Sequence, residues 1–147
     1  MRSIVYTKNE ISAVTEQLSH LMQKYAIYTF TGSLGAGKTT LIRELLQKIG
    51  VCEQVTSPTF TYMQMYTTIN GITIYHFDLY RVDNLSSFMQ AGFDEYLYQP
   101  KSIVMIEWPE CIMSLLTTNV CHISIDYIDD SSRILRYQCV PKSEKNA

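Results

Sequence analysis

Four side chains carry the chemistry this sequence offers: Lys38, Thr39, Asp78 and Glu107. Lys38 and Thr39 close the run Gly32-Ser33-Leu34-Gly35-Ala36-Gly37-Lys38-Thr39, which fits G-x-x-x-x-G-K-[ST], a phosphate-cradling loop. Its three glycines let the backbone turn tightly and aim N–H groups inward at an anion. A helix starting at the end of the loop adds about half a positive charge there. In such a loop Lys38 reaches the β- and γ-phosphates and the Thr39 hydroxyl sits on Mg²⁺. The expectation is a nucleoside triphosphate with Mg²⁺, held by Gly32 through Thr40.

Glu107 ends Ile103-Val104-Met105-Ile106-Glu107, four apolar residues and an acid. That is the form of a Walker B strand, whose carboxylate holds Mg²⁺ or its water. Many buried strands end in an acid, so the weight of the pattern comes from the phosphate loop upstream. Thr39 and Glu107 are therefore the expected metal-binding pair. Asp78 closes the row Ile72, Ile74, His76, Asp78 and Tyr80, which shares one face by period two. It is open to two readings: a surface pair with Arg81, or a carboxylate at the mouth of the nucleotide site. Ser57 and Thr59 flank Pro58 after the loop–helix unit, where P-loop proteins often carry a hydroxyl to the γ-phosphate or its metal. A plain Ser-Pro turn is the other reading of that stretch. Trp108, the only tryptophan, is either a core plug or a wall of the site.

These residues need elements to hold them. Ala26 to Phe30 reads as a buried strand entering the loop. Leu41, Ile42, Leu45, Leu46 and Ile49 recur at helical spacing beyond it, with Gly50 as the stop. Thr7-Lys8-Asn9-Glu10 is a capping box ahead of a first helix marked by Ile11, Val14, Leu18, Leu21 and Met22. Phe60 to Tyr66 and Ile72 to Tyr80 read as antiparallel strands joined through Asn70-Gly71, which makes the sheet mixed. A short helix is expected around Ser86 to Gln90 and a turn near Gly92. Val120 to Ile125 and Arg133 to Cys139 read as closing strands. The expected fold class is α/β, a single-domain P-loop NTPase fold with a mixed central β-sheet flanked by helices. The domain is placed at residues 1–141, and 142–147 read as a polar, disordered tail.

A chain of 147 residues suffices for one domain with a real core. The formal net charge of −2 and the lack of a dense Lys/Arg cluster argue against tight nucleic-acid binding by this chain alone. No N-terminal apolar h-region and no bilayer-spanning apolar stretch are evident, so a cytoplasmic location is expected and no membrane partner. Cys52, Cys111, Cys121 and Cys139 show no metal-ligand spacing and are expected as reduced thiols.

Four pieces stand in order: the loop at 32–40, Ser-Pro-Thr-Phe at 57–60, His-Phe-Asp-Leu-Tyr-Arg at 76–81 and Ile-Glu-Trp-Pro-Glu at 106–110. Together they resemble the TsaE (YjeE) family across nearly the whole chain. The resemblance implies a P-loop ATPase of tRNA threonylcarbamoyladenosine synthesis that works with TsaD and TsaB. TsaD transfers a threonylcarbamoyl group to the adenosine beside the anticodon in tRNAs reading codons that begin with A. The ATPase would meet tRNA only through its partners. The resemblance further implies that Lys38 binds phosphate, that Thr39 and Glu107 serve Mg²⁺, and that Asp78 orients water or metal. It makes Ser57 to Phe60 a switch-like segment and Trp108 a site residue. The chain departs from the family pattern in two places. Ser33 stands where an acid usually follows the first loop glycine, and Cys111 where an Arg commonly follows the Trp-Pro-Glu motif.

Of Arg2, Arg43, Arg81, Arg133 and Arg136, only Arg81 lies in a candidate site motif. Without an internal arginine finger, hydrolysis is expected to be slow alone and faster with partners. Two alternatives stand beside this reading: a small P-loop kinase, and an ATP-dependent binding module without hydrolysis. A GTPase would normally carry Asn-Lys-x-Asp, which is absent.

Overall fold

A computed structural model describes residues 1–55, 58 and 61–143. Seven strands form one sheet: β1 (Arg2–Thr7), β2 (Ile27–Thr31), β3 (Met63–Thr67), β4 (Thr73–Asp78), β5 (Ser102–Glu107), β6 (Val120–Tyr127) and β7 (Ser132–Val140). Their spatial order is β1-β7-β6-β2-β5-β4-β3. The four middle strands β6, β2, β5 and β4 run parallel, and antiparallel partners close both edges. The mixed α/β sheet flanked by helices is thus the observed architecture.

The middle strands are apolar on both faces because both are covered. On one face α1 (Ile11–Leu21) and α2 (Lys38–Lys48) bury Val14, Leu18, Leu41, Ile42, Leu45 and Leu46 against Tyr28, Phe30, Ile74 and Met105. On the other, α3 (Leu85–Gln90) and the 3₁₀ segment Pro109–Leu115 place Phe88 and Ile112 over Ile27, Phe77, Val104 and Ile106. The Glu16–Lys48 ion pair between α1 and α2 is largely solvated at 3.3 Å. Such pairs contribute at most about 1 kcal/mol, so apolar burial holds these helices to the sheet.

Local chemistry sets the element ends. Glu10 reaches back to the Thr7 N–H at 3.0 Å, as the capping signal requires, and α1 follows. Gly50, at φ +104°, ends the second helix. β3 begins only at Met63, since Tyr62 takes a left-handed φ of +65°. β4 stops at Asp78, because the Asp78 carboxylate takes the Tyr80 N–H at 3.0 Å and turns the chain. Both strands are therefore shorter than the sequence pattern suggests.

Two features depart from expectation. β1, antiparallel to β7, was not signalled: Tyr6 alone among its residues is buried, so no alternation marks it. Cys121 and Cys139, expected as reduced thiols, form a disulfide. The β6–β7 register sets them directly opposite, Cα to Cα 4.0 Å, a juxtaposition that spacing along the chain does not display. Cys52 and Cys111 are free. Among the described residues no helix is long and apolar enough to cross a membrane.

Candidate functional site

The parallel strands deliver their C-terminal ends to one edge of the sheet, and every candidate group in the described residues meets there. β2 runs into the glycine loop, β4 ends in Asp78 and β5 in Glu107. Asp78 and Glu107 are register partners, and Glu107 is also opposite Phe30, the penultimate residue of β2. The crevice outside the carboxyl ends of such strands is where open α/β sheets bind ligands.

The loop is shaped by glycine at each turn. Gly32, Gly35 and Gly37 have φ of +142°, +77° and +102°. Gly32 has a second constraint: a Cβ there would run into the Ile125 carbonyl oxygen of β6. The chain thus enters the loop with its backbone laid on β6. From the end of the same strand, the Tyr127 hydroxyl donates to the Gly35 carbonyl, and the Arg133 guanidinium lies 4.0 Å from the Tyr127 ring centroid.

Lys38 opens α2, and its side chain folds back into the loop, where Nζ donates to the carbonyls of Gly32 and Ser33. The ammonium also lies 3.7 Å from the centroid of the Trp108 ring. Burial pushes the Lys38 ammonium below its ordinary range, and the carboxylates of Glu107, Glu110 and Asp78 act in the opposite direction. A desolvated cation resting on carbonyl dipoles and a π-face is poised for an anion. Trp108 answers the core-or-wall question: it is a wall, at φ +56°, with Pro109 immediately starting the next helical turn. Tyr80 packs on it at 5.0 Å between ring centroids.

Glu107 is 2% exposed and both its oxygens are held. Oε1 accepts from the Thr39 hydroxyl at 2.9 Å, and Oε2 lies 2.8 Å from His76 Nε2. Asp78 is 6% exposed and lines the same cavity as Lys38 and Glu107. Leu34, Gly35, Gly37, Lys38, Thr39, Thr40, Asp78, Glu107 and Trp108 line a cavity of about 340 Å³, large enough for a triphosphate tail. Ala36 is buried beneath the loop, and Ser33 is exposed at its rim. The Thr39 hydroxyl with the Asp78 and Glu107 carboxylates is a hard oxygen donor set of the kind Mg²⁺ takes together with phosphate oxygens. Ser57 and Thr59 lie outside the described residues.

This geometry agrees with what the chain is similar to. The sequence model of the family described as "Threonylcarbamoyl adenosine biosynthesis protein TsaE" matches residues 5–135. The chain belongs to the TsaE family. The "tRNA threonylcarbamoyladenosine biosynthesis protein TsaE" of Haemophilus influenzae is 41% identical over 112 residues, covering 76% of this chain and 70% of that protein. That of Rickettsia felis is 33% identical over 132 residues, 89% and 75% of the two chains, and that of Treponema pallidum 30% over 133 residues, 90% and 96%. The crystal structure of Bacillus subtilis YdiB superposes with a TM-score of 0.67 at 25% identity, covering 95% of this chain and 86% of that one. TsaE-family membership makes this a nucleotide-binding P-loop protein, of a family that serves threonylcarbamoyladenosine biosynthesis in tRNA.

Three residues of this TsaE-family site had no role in the sequence reading. His76 lay inside a quoted motif, but its contact with Glu107 needs the β4–β5 register. Tyr127 is 92 residues from Gly35, whose carbonyl it meets, and Arg133 lies against the Tyr127 ring. Arg133 also lines a second cavity of about 390 Å³ with Tyr6, Lys8, Ile11 and Thr40, on the far side of Gly35 to Gly37.

Proposed function

We propose that the chain is the ATP-binding and ATP-hydrolysing subunit of tRNA threonylcarbamoyladenosine synthesis, acting with TsaD and TsaB. The observation that carries this is the convergence of Lys38, Thr39, Asp78 and Glu107 on one cavity at the end of the parallel strands. The triphosphate takes that cavity, its oxygens drawing Lys38 away from the Gly32 and Ser33 carbonyls. The nucleoside takes the second cavity, beside Arg133 and Thr40. Mg²⁺, held through Thr39 and Glu107, spreads charge over the phosphate oxygens when bound. Loop N–H groups and Lys38 bind the transferring phosphoryl group, and Trp108 keeps bulk water from the ammonium. Asp78, beside Glu107 and open to the cavity, orients the attacking water. Residues from TsaD or TsaB complete the constellation, and tRNA is engaged through them. Threonylcarbamoyl transfer itself belongs to the partner.

Mg²⁺-dependent ATP hydrolysis by the purified chain, alone and with cognate TsaB and TsaD, tests the proposal. Weak activity that rises with the partners is the expected result. Equal rates with and without partners, or phosphate transferred to a small acceptor, would overturn it.

Tyr127→Phe tests the support from β6. It deletes one neutral hydrogen bond to the Gly35 carbonyl, a contact worth about 0.5–1.5 kcal/mol. Calorimetric titration is expected to show ATP binding weakened about two- to tenfold, with the thermal midpoint nearly unchanged because Tyr127 is 48% exposed.

A further inference from the structure

His76 is fully buried in a strand face that is otherwise apolar up to Asp78, under α2. A buried imidazole there costs free energy unless a contact repays it. That contact is Glu107. In the parallel register His76 stands opposite Met105, so Glu107, two residues on, projects from the same face and is reached diagonally. Nε2 lies 2.8 Å from Glu107 Oε2, while Nδ1 is buried without a hydrogen-bond partner among the described residues. A carboxylate only accepts, so Nε2 carries the hydrogen.

We infer that His76 is a positioning residue for Glu107, fixing the rotation of its carboxylate so that the metal-binding oxygen faces Thr39 and the phosphates. The inference rests on the reading of Glu107 as the Mg²⁺ carboxylate. Among the described residues two contacts hold Glu107, and they are not equivalent. The Thr39 hydroxyl would turn to the metal when nucleotide binds, whereas His76 is fully buried and lines neither of the two cavities beside the loop. His76 is thus the contact that persists through the cycle, much as outer-shell partners orient ligating groups at other metal sites.

Side-chain isosteres separate orientation from packing. The amide nitrogen of glutamine occupies the place of Nε2, and that of asparagine the place of Nδ1. His76→Gln keeps a donor within reach of Glu107; His76→Asn puts it out of reach. Affinity for a fluorescent ATP analogue is measured with Mg²⁺ and in EDTA for the full chain and both variants. His76→Asn is expected to raise the Mg²⁺ concentration needed for half the metal-dependent gain by about ten- to a hundredfold. Its affinity in EDTA should match the unsubstituted chain, and His76→Gln should recover most of the Mg²⁺ response. Equal losses in both variants would reduce His76 to packing, and an unaltered response in His76→Asn would dismiss it; either overturns the inference alone. Failure of the unsubstituted chain to bind nucleotide would instead overturn the functional reading and this inference with it. Nitrogen-15 spectra of the unsubstituted chain require no variant to fold. They should show the Nε2–H tautomer with and without Mg²⁺–nucleotide, and an Nδ1–H tautomer contradicts the geometry.

Discussion

Glu107→Gln is expected to lower Mg²⁺-dependent ATP hydrolysis by about 10²–10⁴, the range for a group acting directly on the proton or charge of the transition state. The substitution preserves shape and keeps an oxygen for the Thr39 hydroxyl, so the loop and α2 should stay in place, while its amide turns to His76 and favours the other imidazole tautomer. What disappears is the negative charge that would hold the metal. Nucleotide affinity in EDTA should change little, because loop N–H groups and Lys38, not Glu107, contact phosphate in the proposed mode. A thermal melt of the unliganded variant distinguishes lost chemistry from lost fold. Restored activity on adding TsaB and TsaD would show that a partner residue, not this carboxylate, secures the metal. Full support of threonylcarbamoyl transfer by a hydrolysis-dead Glu107→Gln would favour ATP as an interface clamp.

The loop was legible because its information is contiguous. Three glycines, Lys38 and Thr39 need only their own neighbours to form the cradle, and the strand before and helix after follow local periodicity. Glu107 was legible for a related reason: an apolar run that ends in an acid marks the C-terminal end of a buried strand. Asp78 was half legible. Period two put it on a face with His76, but only the register with Glu107 and its burial set it beside the cavity. His76, Tyr127 and Arg133 were silent because their meaning comes from pairing between distant strands. β1 was silent for a different reason, since an edge strand with one buried side chain carries almost no pattern. The disulfide belongs with the first group: an antiparallel hairpin sets Cys121 against Cys139, and compartment reasoning alone argued the other way.

Gly32→Ala should be the most damaging single methyl group in the chain, and the cause lies in β6. The backbone at Gly32 combines a φ of +142°, which side-chain-bearing residues rarely adopt, with a Cβ position that overlaps the Ile125 carbonyl oxygen. That carbonyl cannot retreat cheaply, because β6 is held by the β2 and β7 ladders on either side. Relief must come from lifting the loop, which turns its N–H groups away from the phosphates. Strain and overpacking together cost about 3 kcal/mol or more, or roughly a 6–12 °C fall in the thermal midpoint. Losing two charge-assisted loop hydrogen bonds, each worth about 1.5–3 kcal/mol, weakens ATP binding by more than about a hundredfold. Gly71→Ala is the matched comparison: φ is +81° at the β3–β4 turn, but a Cβ there meets nothing within 4 Å. It carries backbone strain without overlap, about 1–2 kcal/mol, and lies far along the chain from the loop, so nucleotide affinity should be retained. Melting curves and ATP titrations on the two variants separate strain from seating. If Gly32→Ala binds ATP as tightly as Gly71→Ala, the loop does not depend on its rest against β6, and the support assigned to Ile125 and Tyr127 is wrong.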